Sequence, residues 1–192
     1  MHIISKSQFE IRFPNDIFYK LVAPLGLSPS GPFLAGGACR KLIAGQPFDS
    51  DWDFFFTNEE QLKDFQSKLQ NVIEIKEGKT NNVVYVKKDD TTNYKFQLIK
   101  IYYPNISSLL DSFDFTLCQV GFDGENFYLA DFAMKDILEN KLVTNKITFP
   151  EASMRRTFKY TKQGYYMCAG SIAEFLKQIQ TLQLGVEPKY ID

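Results

Sequence analysis

Histidine is nearly missing from this chain: among 192 residues only His2 is one, close to an end that is prone to fray. Chemistry that needs imidazole as base or ligand is thereby excluded, including serine and cysteine triads, zinc hydrolases and Cys/His zinc fingers. Cysteine is scarce and unpatterned. Cys39, Cys118 and Cys168 are odd in number and widely spaced with no C-x-x-C, so neither a disulfide framework nor a tetrahedral metal site follows, and a reducing, cytoplasmic setting is expected. No apolar run approaches the roughly 18 residues of a membrane helix, and the N-terminus lacks a signal peptide's basic-then-apolar order, so no membrane partner is expected. An excess of one charge is lacking too: 22 Lys and Arg against 23 Asp and Glu leave −1. Extended, nonspecific DNA binding is therefore not expected, and any grip on nucleic acid must come from a local patch.

At 44% hydrophobic residues the chain can bury a sizeable core. Periodicity and turn residues predict an α+β fold, a mixed sheet flanked by helices: residues 1–149 as the core and 150–192 as a helical segment packed on it. The expected elements begin with a helix over 14–22, a strand over 33–35, a glycine turn, a helix over 38–44 and a strand over 52–57. Asn58 with Gln61 then caps a helix that ends near Asn71. Strands are expected at 72–76, 83–87 and 94–102, with turns at 78–82 and 89–93, and a short helix from Pro104 to Leu110. A hairpin of 113–122 with 127–129 turns at Asp123-Gly124, and a helix covers 134–138. From Pro150 the pattern is helical, with Met154, Phe158, Thr161 and Tyr165 on an apolar face and Arg155, Lys159 and Lys162 on another. Ser171 and Glu174 read as a capping box for a last helix that buries Ile172, Phe175, Leu176, Ile179 and Leu182 and stops at Gly185.

The stretch richest in chemistry runs from Leu34 to Phe56. Gly36 and Gly37 stand at a strand-to-helix turn, where missing side chains admit a phosphate to unpaired backbone amides. A lone Gly-Gly is equally a simple turn. Asp51 and Asp53 are two apart on a strand, so both carboxylates project from one face while Trp52, Phe54 and Phe56 point into the core. Two such charges roughly 6 Å apart repel by about 3 kcal/mol at an effective dielectric of about 20, so the pair needs a cation. A divalent metal fits, because carboxylates and phosphate oxygens are Mg²⁺ ligands. Alone, the pair reads as well as a loop end and a turn cap.

Together, Gly36-Gly37, Arg40, Gly45 and Asp51-x-Asp53 resemble the signature of the polymerase-β-like nucleotidyltransferase superfamily, most nearly the head domain of CCA-adding enzymes and bacterial poly(A) polymerases. Met154 to Tyr160 with Gly164-Tyr165 resembles, more loosely, that family's arginine-rich helix near the nucleotide. The resemblance implies transfer of a nucleoside monophosphate from an NTP to a hydroxyl with release of pyrophosphate. It further implies that Asp51 and Asp53 bind two Mg²⁺ or Mn²⁺ ions and that Gly36 and Gly37 cradle the phosphates. Arg40, Arg155, Arg156, Lys159 and Tyr160 are the implied nucleotide contacts, with Arg156 first and Lys159 second. The acceptor is left open among an RNA end, a nucleotide, a small molecule and a protein.

Three departures stand out. Lys41 takes the place of an acid that usually follows the arginine, and one extra residue separates the glycines from the aspartates. The strand expected beside Asp51-x-Asp53 carries Gln97 where many relatives have a third acid, and an amide accepts no proton. Asp114 is the candidate replacement, with Asp131 a weaker one of the same kind; the competing and favoured reading is an aspartate bonded to local backbone or to Arg40, since acids at strand starts often satisfy nearby amides. Arg40 is divided between a phosphate contact and a lock on the glycine turn. A rival reading follows from Gln97: a catalytically silent member of the fold that senses nucleotide or binds a protein.

Overall fold

A computed structural model describes residues 1–49, 51–69, 72–77, 82–88 and 93–182. Its centre is an eight-stranded mixed sheet ordered β1-β8-β7-β2-β3-β6-β5-β4. The strands are β1 (His2–Ser5), β2 (Phe33–Ala35), β3 (Trp52–Phe56), β4 (Val72–Glu77), β5 (Asn82–Lys88), β6 (Asn93–Tyr102), β7 (Val120–Phe122) and β8 (Asn126–Leu129). The helices are α1 (Lys6–Arg12), α2 (Asp16–Val22), α3 (Gly37–Ala44), α4 (Glu59–Lys68), α5 (Ile106–Asp111), α6 (Ala133–Leu138), α7 (Pro150–Lys162) and α8 (Ala169–Thr181). The fold is α+β, and no helix among the described residues is long and apolar enough to cross a membrane.

The alternation in β3 sorts the molecule into two apolar layers. Trp52, Phe54 and Phe56 enter the larger layer with Phe18, Phe65 and Phe96, while Phe55 joins Phe33, Ala35 and Ile99 in a smaller one closed by Ile106, Leu109 and Leu110 of α5. Rings of Phe18 and Phe48 stand 5.4 and 5.1 Å from the fully buried Trp52. Each such side chain contributes about 2 kcal/mol when fully buried, so a hydrophobic wall holds the strand from one side. Its other face is free to carry polar groups beside the smaller layer.

Register then fixes what stands beside what. Antiparallel pairing sets Ala35 opposite Asp53, and the parallel pairing of β3 with β6 sets Asp53 opposite Gln97. Between the Phe54–Leu98 and Phe56–Tyr102 pairs, β6 carries two more residues than β3, a bulge. Gly36 (φ 79°, ψ −124°) precedes α3 in a conformation that L side chains avoid, and its N–H donates to Val120 O on β7. Gly45, also at positive φ, ends the helix with its N–H directed to Leu42 and Lys41 carbonyls.

Several expectations need correction. The first 13 residues add β1 and α1, which were not anticipated, and α4 ends at Lys68; residues 70–71 lie outside the described residues, as do most of the turns expected at 78–82 and 89–93 and the helix stop at Gly185. The strand expected from 113 is a bend and a 3-10 turn (Thr116–Cys118) before β7 begins at Val120. Ser171 caps nothing: α8 begins at Ala169, and the Ser171 hydroxyl is buried, accepting from Thr144 N and donating to Leu142 O. Consequently α8 buries Ser171 and Phe175, leaving Ile172 and Leu176 exposed. On α7 the face turned inward is Ala152, Ser153 and Tyr160, not the one containing Met154 and Phe158, and Phe158 is 63% exposed.

Candidate active site

A cleft of about 360 Å³ gathers Gly36, Gly37, Asp51 and Asp53 with Gln97 from β6 and Arg156 and Lys159 from α7. Each arrives for a local reason. The glycines end β2 beside Asp53, close enough that a Cβ on Gly36 would lie 3.9 Å from Asp53 Oδ2. Asp51, directly before β3, and Asp53 within it share a face because extended chain has a period of two, and Ser153, Arg156 and Tyr160 share one because three- and four-residue spacings recur on a helix.

The electrostatics of the carboxylates are unbalanced. Asp53 is pushed up to about 7, first by burial and then by Asp51, against the opposing pull of Lys159 and Arg156. Its carboxylate accepts no hydrogen bond from the described residues. Asp51 is steadied from the side, where Gln97 Nε2 donates to its Oδ2 at 2.7 Å. Gln97 thus occupies the neighbouring-strand position expected for it and orients an aspartate there.

Asp114 lies in the same cleft but is not on a strand beside β3, because β6 and β2 fill both neighbouring positions. It is 5% exposed and accepts from Arg156 Nη1 at 2.8 Å and Ser153 Oγ at 3.0 Å. That corrects the expectation of a spare third acid: the carboxylate balances an arginine. Asp131 is outside the cleft and bonds the Met1 ammonium at 2.6 Å. It sits at the rim of a larger, mainly apolar hollow of about 780 Å³ by β1 and α6, which has no neighbouring glycine turn.

Among the described residues Arg40 bonds neither Asp53 nor Asp114, the partners expected of a lock on the glycine turn. Its side chain is 1% exposed, with Nη1 donating to Tyr165 OH at 3.0 Å and Nη2 to Gln163 Oε1 at 2.9 Å. The guanidinium lies 5.4 and 5.1 Å from the ring centroids of Tyr160 and Tyr165. Arg40 therefore locks α3 to the end of α7, using charge-assisted bonds and cation–π contact, and borders the cleft from beneath. Tyr160 is correspondingly buried, its hydroxyl 2.9 Å from Cys118 Sγ, so its ring supports Arg40 and is not free to stack on a base. Burial raises its pKa well above the usual tyrosine range. Arg155 is exposed and does not line the cleft.

Two residues were missed. Lys146, on the loop before α7, borders the cleft, and no periodic pattern marks it. Lys41 is 4% exposed and paired with Asp49, which ties the end of α3 to the loop leading into Asp51. Burial lowers its pKa, aided by Arg40 and Lys159. The acid absent after Arg40 is thus replaced by a lysine with its acid supplied eight residues later; the pairing of Lys41 with any later aspartate is invisible to local sequence reading.

A mixed sheet with a glycine turn entering a helix and paired aspartates on the next strand defines the polymerase-β-like nucleotidyltransferase fold. The chain belongs to the Gad2 family, described as Gabija anti-defense 2 family protein, whose profile matches residues 6–140. Among solved structures it resembles a CCA-adding enzyme with CTP, at TM-score 0.66 and 13% identity over 94% of this chain and 47% of that one. A tRNA-processing enzyme with CTP matches at TM-score 0.58 and 14% identity over 84% of this chain and 45% of that one. The Bacillus stearothermophilus CCA-adding enzyme in complex with CTP matches at TM-score 0.51 and 16% identity, over 78% and 38%. This chain spans about half the length or less of these structures. No curated protein matches its sequence.

Proposed function

We propose that the chain transfers a nucleoside monophosphate from an NTP to a hydroxyl acceptor and releases pyrophosphate. The observation that carries this reading is the meeting of Asp51 and Asp53 with the Gly36-Gly37 turn in one cleft of ligand size. Solved relatives of the fold with CTP or ATP support it.

The donor set fits a divalent cation. Asp53 accepts no hydrogen bond from a side chain among the described residues and ionises reluctantly beside Asp51, a combination that a hard cation relieves, and two carboxylates leave the remaining positions to phosphate oxygens and water, as Mg²⁺ prefers. Among the described residues no cluster of three or more acidic, histidine or cysteine ligands occurs, so the protein's share would be these two. When bound, Mg²⁺ or Mn²⁺, as one ion or a pair, supplies charge neutralisation and makes a hydroxyl more acidic. The backbone amides at the start of α3, from Gly37 onward, receive the phosphates, the Gly36 N–H being given to Val120 O while its missing side chain leaves room, and Lys159 and Arg156 steady charge that moves to the leaving group. Gln97 holds Asp51 in orientation. The acceptor proton passes to solvent, since Asp114 is engaged by Arg156. Membership in an anti-defense family directs the modification against the defence it opposes.

Titration with ATP, CTP, GTP and UTP, each with and without Mg²⁺, tests the reading by calorimetry. At least one MgNTP binds the native chain, and Asp53→Asn abolishes both that binding and pyrophosphate release; a variant binding MgNTP with native affinity would refute the metal assignment. A second reading rests on Gln97: a silent nucleotide sensor or protein-binding module. It predicts MgNTP binding without pyrophosphate release against any acceptor.

A further inference from the structure

The cleft extends beyond the carboxylates. Antiparallel pairing of β2 with β3 places Gly36 and Gly37 past Asp53 in the direction of Asp51, whereas Phe55, Ile99 and Ile101 continue the same sheet face in the opposite direction. The bulge in β6 matters here, because its two extra residues bring both Ile99 and Ile101 alongside Phe55. Phe113 closes this wing with its ring 5.9 Å from Phe55, and Tyr103 and Ser112 supply its polar end through a 3.0 Å hydroxyl pair.

We infer that this apolar wing is the acceptor subsite and that it takes a hydroxyl on a protein side chain flanked by apolar residues. This deepens the proposed transferase reading and rests on it. In an in-line displacement the attacking oxygen enters opposite the leaving pyrophosphate. With the phosphates held at the glycines, the attack side is the wing.

Its chemistry then selects the acceptor. Phe55, Ile99, Ile101, Tyr103, Ser112 and Phe113 carry no charge, and alternation turns Lys100 to the other face of β6. An RNA end brings a phosphate at each nucleotide and needs cations along its path. An apolar wall instead leaves a polyanion unpaired while burying aliphatic or aromatic surface. Ile101, Tyr103, Ser112 and Phe113 also keep part of their surface in solvent, so the wing is a wall rather than an enclosed pocket. A small alcohol would remain half hydrated there; a side chain on a protein brings its own body to exclude water. In the reaction the side-chain oxygen forms a bond to the α-phosphorus, the bond from that phosphorus to the α–β bridging oxygen breaks, pyrophosphate leaves with the electron pair, and the hydroxyl proton goes to solvent.

The test uses the full chain with Mg²⁺ and α-labelled NTPs, offered leucine-flanked hexapeptides with a central tyrosine, serine or threonine, or a single-stranded RNA with a free 3′ hydroxyl. A labelled peptide and unlabelled RNA are expected. Ile101→Lys and Ile101→Glu should each raise the peptide KM about tenfold and leave the MgNTP Kd unchanged; Ile101→Ala, whose melting temperature checks folding, should raise it about threefold. RNA labelling, stimulated by Ile101→Lys, would overturn the inference while sparing the transferase reading. So would MgNTP binding with pyrophosphate release but no label on any peptide, or a weakened MgNTP Kd in all three variants, which would make the wing a base site; MgNTP binding with no pyrophosphate release to any acceptor would instead favour the silent reading. Failure of MgNTP to bind the native chain would instead remove the transferase reading.

Discussion

The Asp53 carboxyl makes a prediction about stability that is separable from any reaction. Asp53 is held at about 7 by burial and by Asp51, well above the usual range near 4, so the folded chain binds its proton more tightly than the unfolded chain does. The sign follows from linkage. Folding is favoured by this group at low pH, and that contribution is lost as pH rises from about 4 to about 7, where the folded protein must carry an unwelcome charge. At about 1.4 kcal/mol per tenfold change in proton affinity, the displacement bounds the cost at about 4 kcal/mol. Asp53 keeps some contact with solvent, and screening brings the expected figure to about 2 kcal/mol. Asn imitates the protonated acid. In metal-free buffer Asp53→Asn should therefore melt about 4–8 °C higher than the native chain at pH 8, and at nearly the same temperature at about pH 3.5, where the carboxyl is protonated in the unfolded chain as well. Thermal unfolding by circular dichroism in EDTA at the two pH values measures it. A variant no more stable than the native chain at pH 8 would refute the account of an electrostatically strained pair.

Two other substitutions probe neighbours of that pair. Gln97→Ala removes one hydrogen bond to a charged group, worth about 2 kcal/mol, so kcat/KM should fall roughly thirtyfold, far less than for Asp51→Ala; equal, total loss would mean that Gln97 touches the ligand itself. Arg156→Ala leaves the buried Asp114 with Ser153 alone as a side-chain partner among the described residues and should cost about 3 kcal/mol in urea unfolding, with Asp114→Asn relieving part of the loss in the double variant. Additive losses in that cycle would contradict the pairing.

Local rules carried the centre of the fold and stopped at its long-range contacts. The alternation Trp52-Asp53-Phe54 and the Gly36-Gly37 turn are set within a few residues, and the structure places them as read. Gln97 was legible for the same reason, since strand order and period suffice to set it opposite Asp53. Asp114 was misplaced because Phe113-Asp114-Phe115 has strand-like alternation although the chain there bends to pack against α7. On α7 itself, periodicity alone favoured the face with Met154 and Phe158, but tertiary contacts chose the one with Ser153, Arg156 and Tyr160, where polar atoms meet Asp114 and Cys118. Polar contacts made at long range defeat hydrophobic patterning in that way. Arg40 was ambiguous in sequence for a related reason: Tyr165, 125 residues away, decides whether its charge is directed at the cleft or absorbed by the protein.

How the cations are distributed decides what form of nucleotide the cleft can hold. Four cationic side chains border it, Arg40, Lys146, Arg156 and Lys159, against the three carboxylates of Asp51, Asp53 and Asp114, a formal surplus of a single positive charge. Much of that cationic charge is already engaged, since Arg40 is locked under Tyr165 and Gln163 and Arg156 faces Asp114. A triphosphate carrying roughly four negative charges at neutral pH would meet two aspartates with little to offset them; at about 6 Å and an effective dielectric of about 20, each unscreened pair costs about 3 kcal/mol. Lys41 adds nothing, because Asp49 neutralises it. Two of the four, Arg40 and Arg156, thus hold α7 to α3 and to Asp114, and on the proposed reading the charge that Lys146 and Lys159 leave unmet arrives with the nucleotide, as its bound divalent cation. On the proposed reading, a cleft built in this way should take MgNTP in preference to free NTP before any step of transfer, and equal affinity for the two would refute it.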